Sequence, residues 1–222
     1  MHVRDALKQR KSVRAFLDRP VQREAIVRIL DAARHAPSGV NTQPWKVAVV
    51  TGAAKQRLQQ KIETAFRDGK QSRASYVYYP EEWISPYKER RKECAVLMYG
   101  AVGIPFGDKT ARLEQWARNY RAFDAPVMLL FLIDSVMGQG SFIDYGMFMQ
   151  SLMLAASEEG LATCPQASLA QYPDIVRSEL GYDDSMQVVC GMALGYEDEQ
   201  APINNYRTPR MEVDAFTRFL DE

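Results

Sequence analysis

Histidine is nearly absent: His2 and His35 are the two in 222 residues, and neither has the spacing of a zinc site. Cysteine is scarce too. Cys94, Cys164 and Cys190 are odd in number, far apart and without a C-x-x-C pair, which argues against a disulfide framework and fits a reducing compartment. They read as small buried apolar residues. Net charge is lacking as well, with 28 basic residues against 28 acidic, so no whole-molecule field draws nucleic acid or an acidic membrane. The longest apolar run, 125–133, falls far short of the roughly 20 residues that span a bilayer. The N-terminal segment is charged throughout, where a signal peptide needs an apolar core. A soluble cytoplasmic protein is expected, with no metal, membrane or nucleic-acid partner.

Several motifs are missing. No G-x-G-x-x-G follows a strand, no G-x-x-x-x-G-K-[ST] occurs, and Gly138-Gln139-Gly140-Ser141 lacks the pattern of a nucleophile elbow. Dinucleotide folds of the Rossmann type, P-loop enzymes and α/β hydrolases all lose weight.

What is present is an uninterrupted alternation of helical and extended patterns, with 46% hydrophobic residues to build a core. Helices are predicted over 3–11, 24–34, 53–68, 88–99, 109–121, 144–159 and 174–180. Strands are predicted over 46–52, 126–133, 161–165 and 187–196. The segment 144–159 is apolar almost all round, and Gly160 stands where a left-handed cap belongs. Val213, Phe216, Phe219 and Leu220 suggest a short amphipathic helix in the tail. The expected architecture is one α+β domain over 1–222, with an aromatic-rich insert at 69–124 and a C-terminal arm at 200–222.

Four places carry chemistry. Arg10-Lys11-Ser12-Val13-Arg14 groups three cations and a hydroxyl, a set suited to phosphate because guanidinium forks pair bidentately with its oxygens. Arg207 and Arg210 form a second basic pair. Pro165-Gln166-Ala167-Ser168 follows a buried strand, where backbone N–H groups can turn toward a ligand. Ala36-Pro37-Ser38-Gly39-Val40-Asn41-Thr42-Gln43-Pro44-Trp45 is too long for a plain helix-to-strand connection of about 2 to 6 residues, and its hydroxyl and amides suit the edge of a heteroaromatic ring. Taken singly, each has a plainer reading: a solvated charge run, an ordinary loop, a helix stop.

In combination they resemble the nitroreductase family of flavin mononucleotide (FMN) oxidoreductases. The resemblance rests on Arg-x-Ser-x-Arg, then Pro-Ser-Gly-Val-Asn-Thr-Gln-Pro-Trp, then Gly-Leu-x-x-x-Pro, then Arg-x-Pro, in that order across nearly the whole chain. It implies a mixed central sheet flanked by helices and a homodimer with its long central helix at the interface. It also implies that Arg10, Lys11, Ser12 and Arg14 hold the FMN phosphate and ribityl chain, joined by Arg207. Pro37, Ser38, Gly39 and Asn41 would reach the flavin of the partner subunit, with Gly39 letting the backbone come close. Pro165, Gln166 and Ala167 would lie along the isoalloxazine ring. No catalytic side chain is expected, because flavin N5 carries the redox chemistry.

The activity implied is NADH- or NADPH-driven reduction of small nitroaromatic or quinone-like substrates by ping-pong kinetics. Alternatives in the same fold are a reductive dehalogenase, drawing on Glu81, Glu82, Tyr87 and Lys88, and a flavin-modifying enzyme; a third is a flavin-binding protein without turnover. The insert is similar to lids of other members, making Trp83, Tyr87, Tyr99, Phe106, Tyr120 and Phe123 candidate substrate contacts.

Overall fold

A computed structural model of the chain describes residues 2–70 and 74–220. Four strands, β1 (Lys46–Thr51), β2 (Val127–Asp134), β3 (Ala162–Gln166) and β4 (Met186–Gly195), form one sheet in the order β1-β2-β4-β3. Among the described residues, seven α-helices surround it: α1 (Val3–Gln9), α2 (Arg23–Ala33), α3 (Gly52–Arg67), α4 (Tyr87–Ala101), α5 (Lys109–Ala117), α6 (Gly140–Glu158) and α7 (Pro173–Leu180).

Strand β2 shows why the sheet is covered on both faces. Every residue from Val127 to Ile133 is buried, and the pleat sends alternate side chains to opposite sides. Val127, Leu129, Phe131 and Ile133 pack with Ile26 and Ile29 of α2 and Phe148 and Leu152 of α6. Met128, Leu130 and Leu132 pack with Leu58 and Ile62 of α3 and Val176 of α7. Each fully buried side chain of this kind contributes about 1.5–3 kcal/mol.

The expected mixed sheet is corrected: all three strand pairings are antiparallel. Strands β2 and β3, joined through α6, do run in the same direction, but β4 inserts between them. A parallel contact survives as an isolated bridge, Ser12↔Thr163, with Val13 N–H donating to the Thr163 carbonyl at 3.0 Å. That bridge lays residues 12–13 beside β3.

Most boundaries shifted by one or two residues, and three elements changed further. Helix α6 starts at Gly140, ahead of the expected 144. Helix α5 stops at Ala117, short of 121, because the chain enters a 3-10 turn (Arg118–Asp124) in which Ala122, Phe123 and Asp124 take φ of 51°, 53° and 64°. The expected tail helix reduces to one 3-10 turn, Val213–Ala215, and Phe216, Phe219 and Leu220 are 66%, 74% and 78% exposed. Without an apolar surface under those side chains, a short helix cannot offset its nucleation cost. Residues 71–73 of the insert and 221–222 of the arm lie outside the described residues.

Candidate functional site

The two chain ends meet beside β3, through one buried side chain. Asn204, 2% exposed, accepts the Arg14 backbone N–H at 2.8 Å through Oδ1. Its Nδ2 donates to the carbonyls of Ala15 and Asp198, both at 2.9 Å. Its own carbonyl accepts Lys11 Nζ at 2.8 Å. Arg10, Lys11, Ser12 and Arg14 are thereby held against Tyr206, Arg207 and Arg210, and these side chains line one cavity of about 580 Å³.

Among the described residues, no acidic side chain lines that cavity. Lys11 is nevertheless committed elsewhere, 2.6 Å from Glu197 Oε1, which removes it from the free cations of the cluster. Among the described residues, no ion pair involves Arg10, Arg14, Arg207 or Arg210. Arg14 donates to Tyr206 Oη at 2.6 Å and to the Ser12 carbonyl at 3.3 Å. Arg207 donates to the carbonyls of Gln9 and Arg10 at 2.7 and 3.2 Å, capping the C-terminus of α1. Burial first, then the positive charges of Arg210 and Arg207, hold the Arg10 guanidinium below its ordinary pKa. Crowded cations of this sort are stabilised by a polyanion offering several oxygens. Arg210 belongs to this cradle and was absent from the residues assigned to the cofactor from sequence; the basic pair it forms with Arg207 was the available signal.

Pro165 and Gln166 end β3, Ala167 opens the turn after it, and all three line two cavities, of about 850 and 370 Å³. Gln166 is 3% exposed; its Nε2 donates to the Asn119 carbonyl at 2.7 Å, whereas its Oε1 is buried without a partner. Ser168 Oγ is in the same condition. A buried polar atom left unpaired costs about 1–3 kcal/mol, so two along one edge favour a ligand that carries its own donors and acceptors. The larger cavity is mainly apolar, with Tyr76, Phe142, Met149 and Cys190 in its wall. Tyr76 packs on Phe142 at 5.0 Å between ring centroids and donates to the Val189 carbonyl. Burial pushes the Cys190 thiol up to about 12 and raises Cys164 as well, so neither thiol is a nucleophile at neutral pH.

The loop after α2 stands apart. Ser38 Oγ accepts the Gln43 N–H at 2.9 Å, and Gly39 N–H donates to Asp144 Oδ1 at 3.2 Å. Val40, Asn41 and Gln43 take φ of 45°, 59° and 48°, each costing on the order of 1–3 kcal/mol. Val40 is 98% exposed. A Cβ on Gly39 would meet only Asp144 Oδ2 at 3.8 Å, an ordinary contact, so this chain by itself does not demand glycine there. None of the cavities above is lined by Pro37, Ser38, Gly39 or Asn41. One chain brings the basic cluster and the Pro165 wall together and leaves this loop outside. Asp144, its anchor on α6, carried no sequence signal.

Of the aromatics in the insert, Tyr99 and Phe106 line a surface cavity of about 480 Å³. Tyr87 is 55% exposed, and Trp83 packs on Tyr79 with 5.6 Å between centroids. Phe123 is 1% exposed and reaches the edge of a cavity of about 280 Å³. Tyr120 is corrected to a core residue: it is 1% exposed, packs on Phe66 and Tyr172, and donates to Gln171 Oε1 at 2.8 Å. Glu81, Glu82, Tyr87 and Lys88, on which a dehalogenase would draw, are all exposed, and none of them lines a cavity shared with Gln166.

An α+β fold with a cationic cradle beside an apolar wall defines a protein built to hold an anionic, ring-bearing cofactor. The chain belongs to the nitroreductase family, whose model matches residues 7–196. It is similar to the 4-nitrobenzoate reductase of Pseudomonas putida, with 42% identity over 95% of this chain and 92% of that protein. It is also similar to the nitrobenzene nitroreductase of Ectopseudomonas oleovorans, with 39% identity over 98% and 96%. The crystal structure of the FMN and NADPH-dependent nitroreductase NfnB from sphigopyxis sp. strain HMH superposes with a TM-score of 0.96 at 39% identity, covering 100% of both chains. The NADPH complex of NfnB from Mycobacterium smegmatis gives 0.93 at 33% identity over 98% of this chain and 97% of that one. The nitroreductase resemblance and the α+β fold read from sequence are both borne out.

Proposed function

We propose that the chain is an FMN-dependent oxidoreductase that takes reducing equivalents from NADPH and delivers them to nitroaromatic acceptors, as a homodimer in the cytoplasm. The observation that carries the reading is that Arg14 of the Arg10, Arg14, Arg207 and Arg210 cradle also lines the cavity of Gln166 and Ser168, whose Oε1 and Oγ are buried and unpaired. The residues fit FMN: guanidiniums for a phosphate, unpaired polar atoms for the edge of a ring, and apolar side chains for its face. When bound, the flavin supplies the electron-transfer chemistry.

The chain's own work is binding and exclusion. Arg10, Arg14, Arg207 and Arg210 would fix the phosphate, with Ser12 adding a hydroxyl and Lys11 balanced by Glu197. Tyr76, Phe142 and Met149 keep water from the apolar wall. Dimerisation is supported by α6, where Ile143, Gly146 and Met147 are exposed at helical spacing, and by the strained, exposed loop that Asp144 holds at the start of that helix. The insert at 69–124 would act as a lid within a single domain. Cysteines that are free and separated agree with a reducing compartment.

Loaded with FMN, the protein is expected to bleach anaerobically on adding NADPH, to regain its yellow colour with nitrobenzene, and to give parallel double-reciprocal lines. A protein that stays yellow under NADPH is not this enzyme. Light scattering at twice the chain mass tests the dimer.

A further inference from the structure

Helices α4 and α5 border the cavity of about 280 Å³, and its walls carry Arg14, Arg91, Arg112 and Gln115 with no acidic side chain among the described residues. Gln115 is 8% exposed, and its Nε2 is buried without a partner. The Arg112 guanidinium lies between the rings of Tyr99 and Phe106, at 4.8 and 4.9 Å, and donates to the Phe106 carbonyl at 3.1 Å. Arg91 lies over Trp83 at 5.1 Å. Cation–π contacts fix the guanidiniums without neutralising them, and neither has an ion pair among the described residues. Two guanidiniums without an ion pair and an unpaired donor thus line one small space, with Arg14 of the phosphate cradle at its border. Met98, Tyr99 and Trp116 give it apolar surface as well. Arg14, Trp116 and Asn119 also line the cavity beside Pro165 and Gln166, which places the two spaces side by side.

We propose that this cavity is a carboxylate subsite for the substrate being reduced, so that the enzyme favours nitroaromatics bearing a carboxylate over neutral ones. The proposal rests on the nitroreductase reading above. Arg112, Arg91 and Gln115 receive the carboxylate oxygens, and the apolar wall receives the edge of the ring. The 2′-phosphate of NADPH offers similar oxygens, but the Met98, Tyr99, Trp116 and Phe123 side chains beside the cations give an aryl acid a surface for its ring.

The test compares flavin-loaded wild type with Arg112→Gln and Gln115→Leu. Two readouts are needed: kcat/KM for 4-nitrobenzoate and nitrobenzene with NADPH, and calorimetric binding of benzoate to the oxidised protein without NADPH. In each variant the 4-nitrobenzoate to nitrobenzene ratio of kcat/KM is expected to fall about tenfold or more, the effect of losing a hydrogen bond to a charged group. Benzoate affinity should fall in step, while KM for NADPH stays within about twofold. Arg91→Gln, at an exposed helical position, keeps the test decisive if a variant fails to fold. An unchanged ratio overturns the subsite, and so does a rise in KM for NADPH with the ratio intact, which would give the cations to the 2′-phosphate. A wild type that reduces neither nitro compound refutes the nitroreductase reading, while benzoate binding still decides the subsite.

Discussion

Asn204 Oδ1 accepts the backbone N–H of Arg14 at 2.8 Å, joining positions 190 residues apart. The same amide donates to Ala15 and Asp198, so both its N–H groups and its oxygen are engaged while it is 2% exposed. That bond sets where the Arg10–Arg14 segment stands relative to Arg207 and Arg210. Asn204→Leu leaves the Arg14 N–H unpaired, at about 1–3 kcal/mol, and takes one of two hydrogen bonds from each of the Ala15 and Asp198 carbonyls, which keep the N–H groups of Asp198 and Ala201. A fall of about 1–3 kcal/mol in urea unfolding is expected, with weaker FMN binding in the fraction that folds. Asn204→Asp should be no better, because a carboxylate facing the carbonyls of Ala15 and Asp198 has no proton to donate.

Arg10 and Lys11 are neighbours with different prospects. Arg10 lines the cradle under the repulsion of Arg207 and Arg210, and Lys11 is already 2.6 Å from Glu197. Arg10→Gln should therefore weaken FMN binding by about 1.5–3 kcal/mol, the range for a hydrogen bond to a charged group. Lys11→Gln should weaken it distinctly less. Fluorescence titration of FMN into the two apo variants decides the point; equal losses would mean that Lys11 leaves Glu197 for the phosphate.

Gly191 pairs with Gln166 across the β3–β4 ladder. A Cβ there would stand 2.2 Å from Leu169 Cδ1, 3.1 Å from Leu169 Cβ and 3.0 Å from Leu130 Cδ2. Both leucines are fully buried, so neither can swing aside into solvent. Gly191→Ala should cost about 1–3 kcal/mol by overpacking and push the Ala167–Gln171 turn outward, weakening FMN binding further. Unchanged stability together with unchanged FMN affinity would show that the turn yields freely.

These residues also mark what a sequence can disclose. The Arg10 cluster, the Pro165 segment and the loop at 37–45 were legible because their chemistry is concentrated in a few adjacent positions. Asn204, Asp144 and Gln115 were not, since each matters through partners that only folding brings near. Aromatics divide the same way. Tyr99 lines a cavity and Tyr120 lies in the core, although both occur in similarly mixed surroundings along the chain. The sheet was misjudged for a related reason: β2 and β3 follow each other through α6, and no local pattern shows that β4 will insert between them.

Burial raises the Cys190 thiol from 9.0 to about 12. An unfolded chain releases that proton as pH passes 9.0, whereas the folded protein keeps it until about 12. Between those limits the native state binds more protons than the unfolded one, so the stabilising contribution, complete below 9.0, is lost as pH rises through the window. The slope for one thiol is about 1.4 kcal/mol per pH unit. Buried Tyr120 and Tyr145, also raised chiefly by burial, steepen the decline near its upper end. Cys190→Ala removes the thiol from both states and should be the less stable protein at neutral pH, since it loses the Met149 contact. Its stability should nevertheless fall less steeply above pH 9.0 than that of the wild type. Urea unfolding of both proteins at about pH 8 and about pH 10 measures the two slopes. If they coincide, the alkaline loss belongs to the tyrosines and not to this thiol.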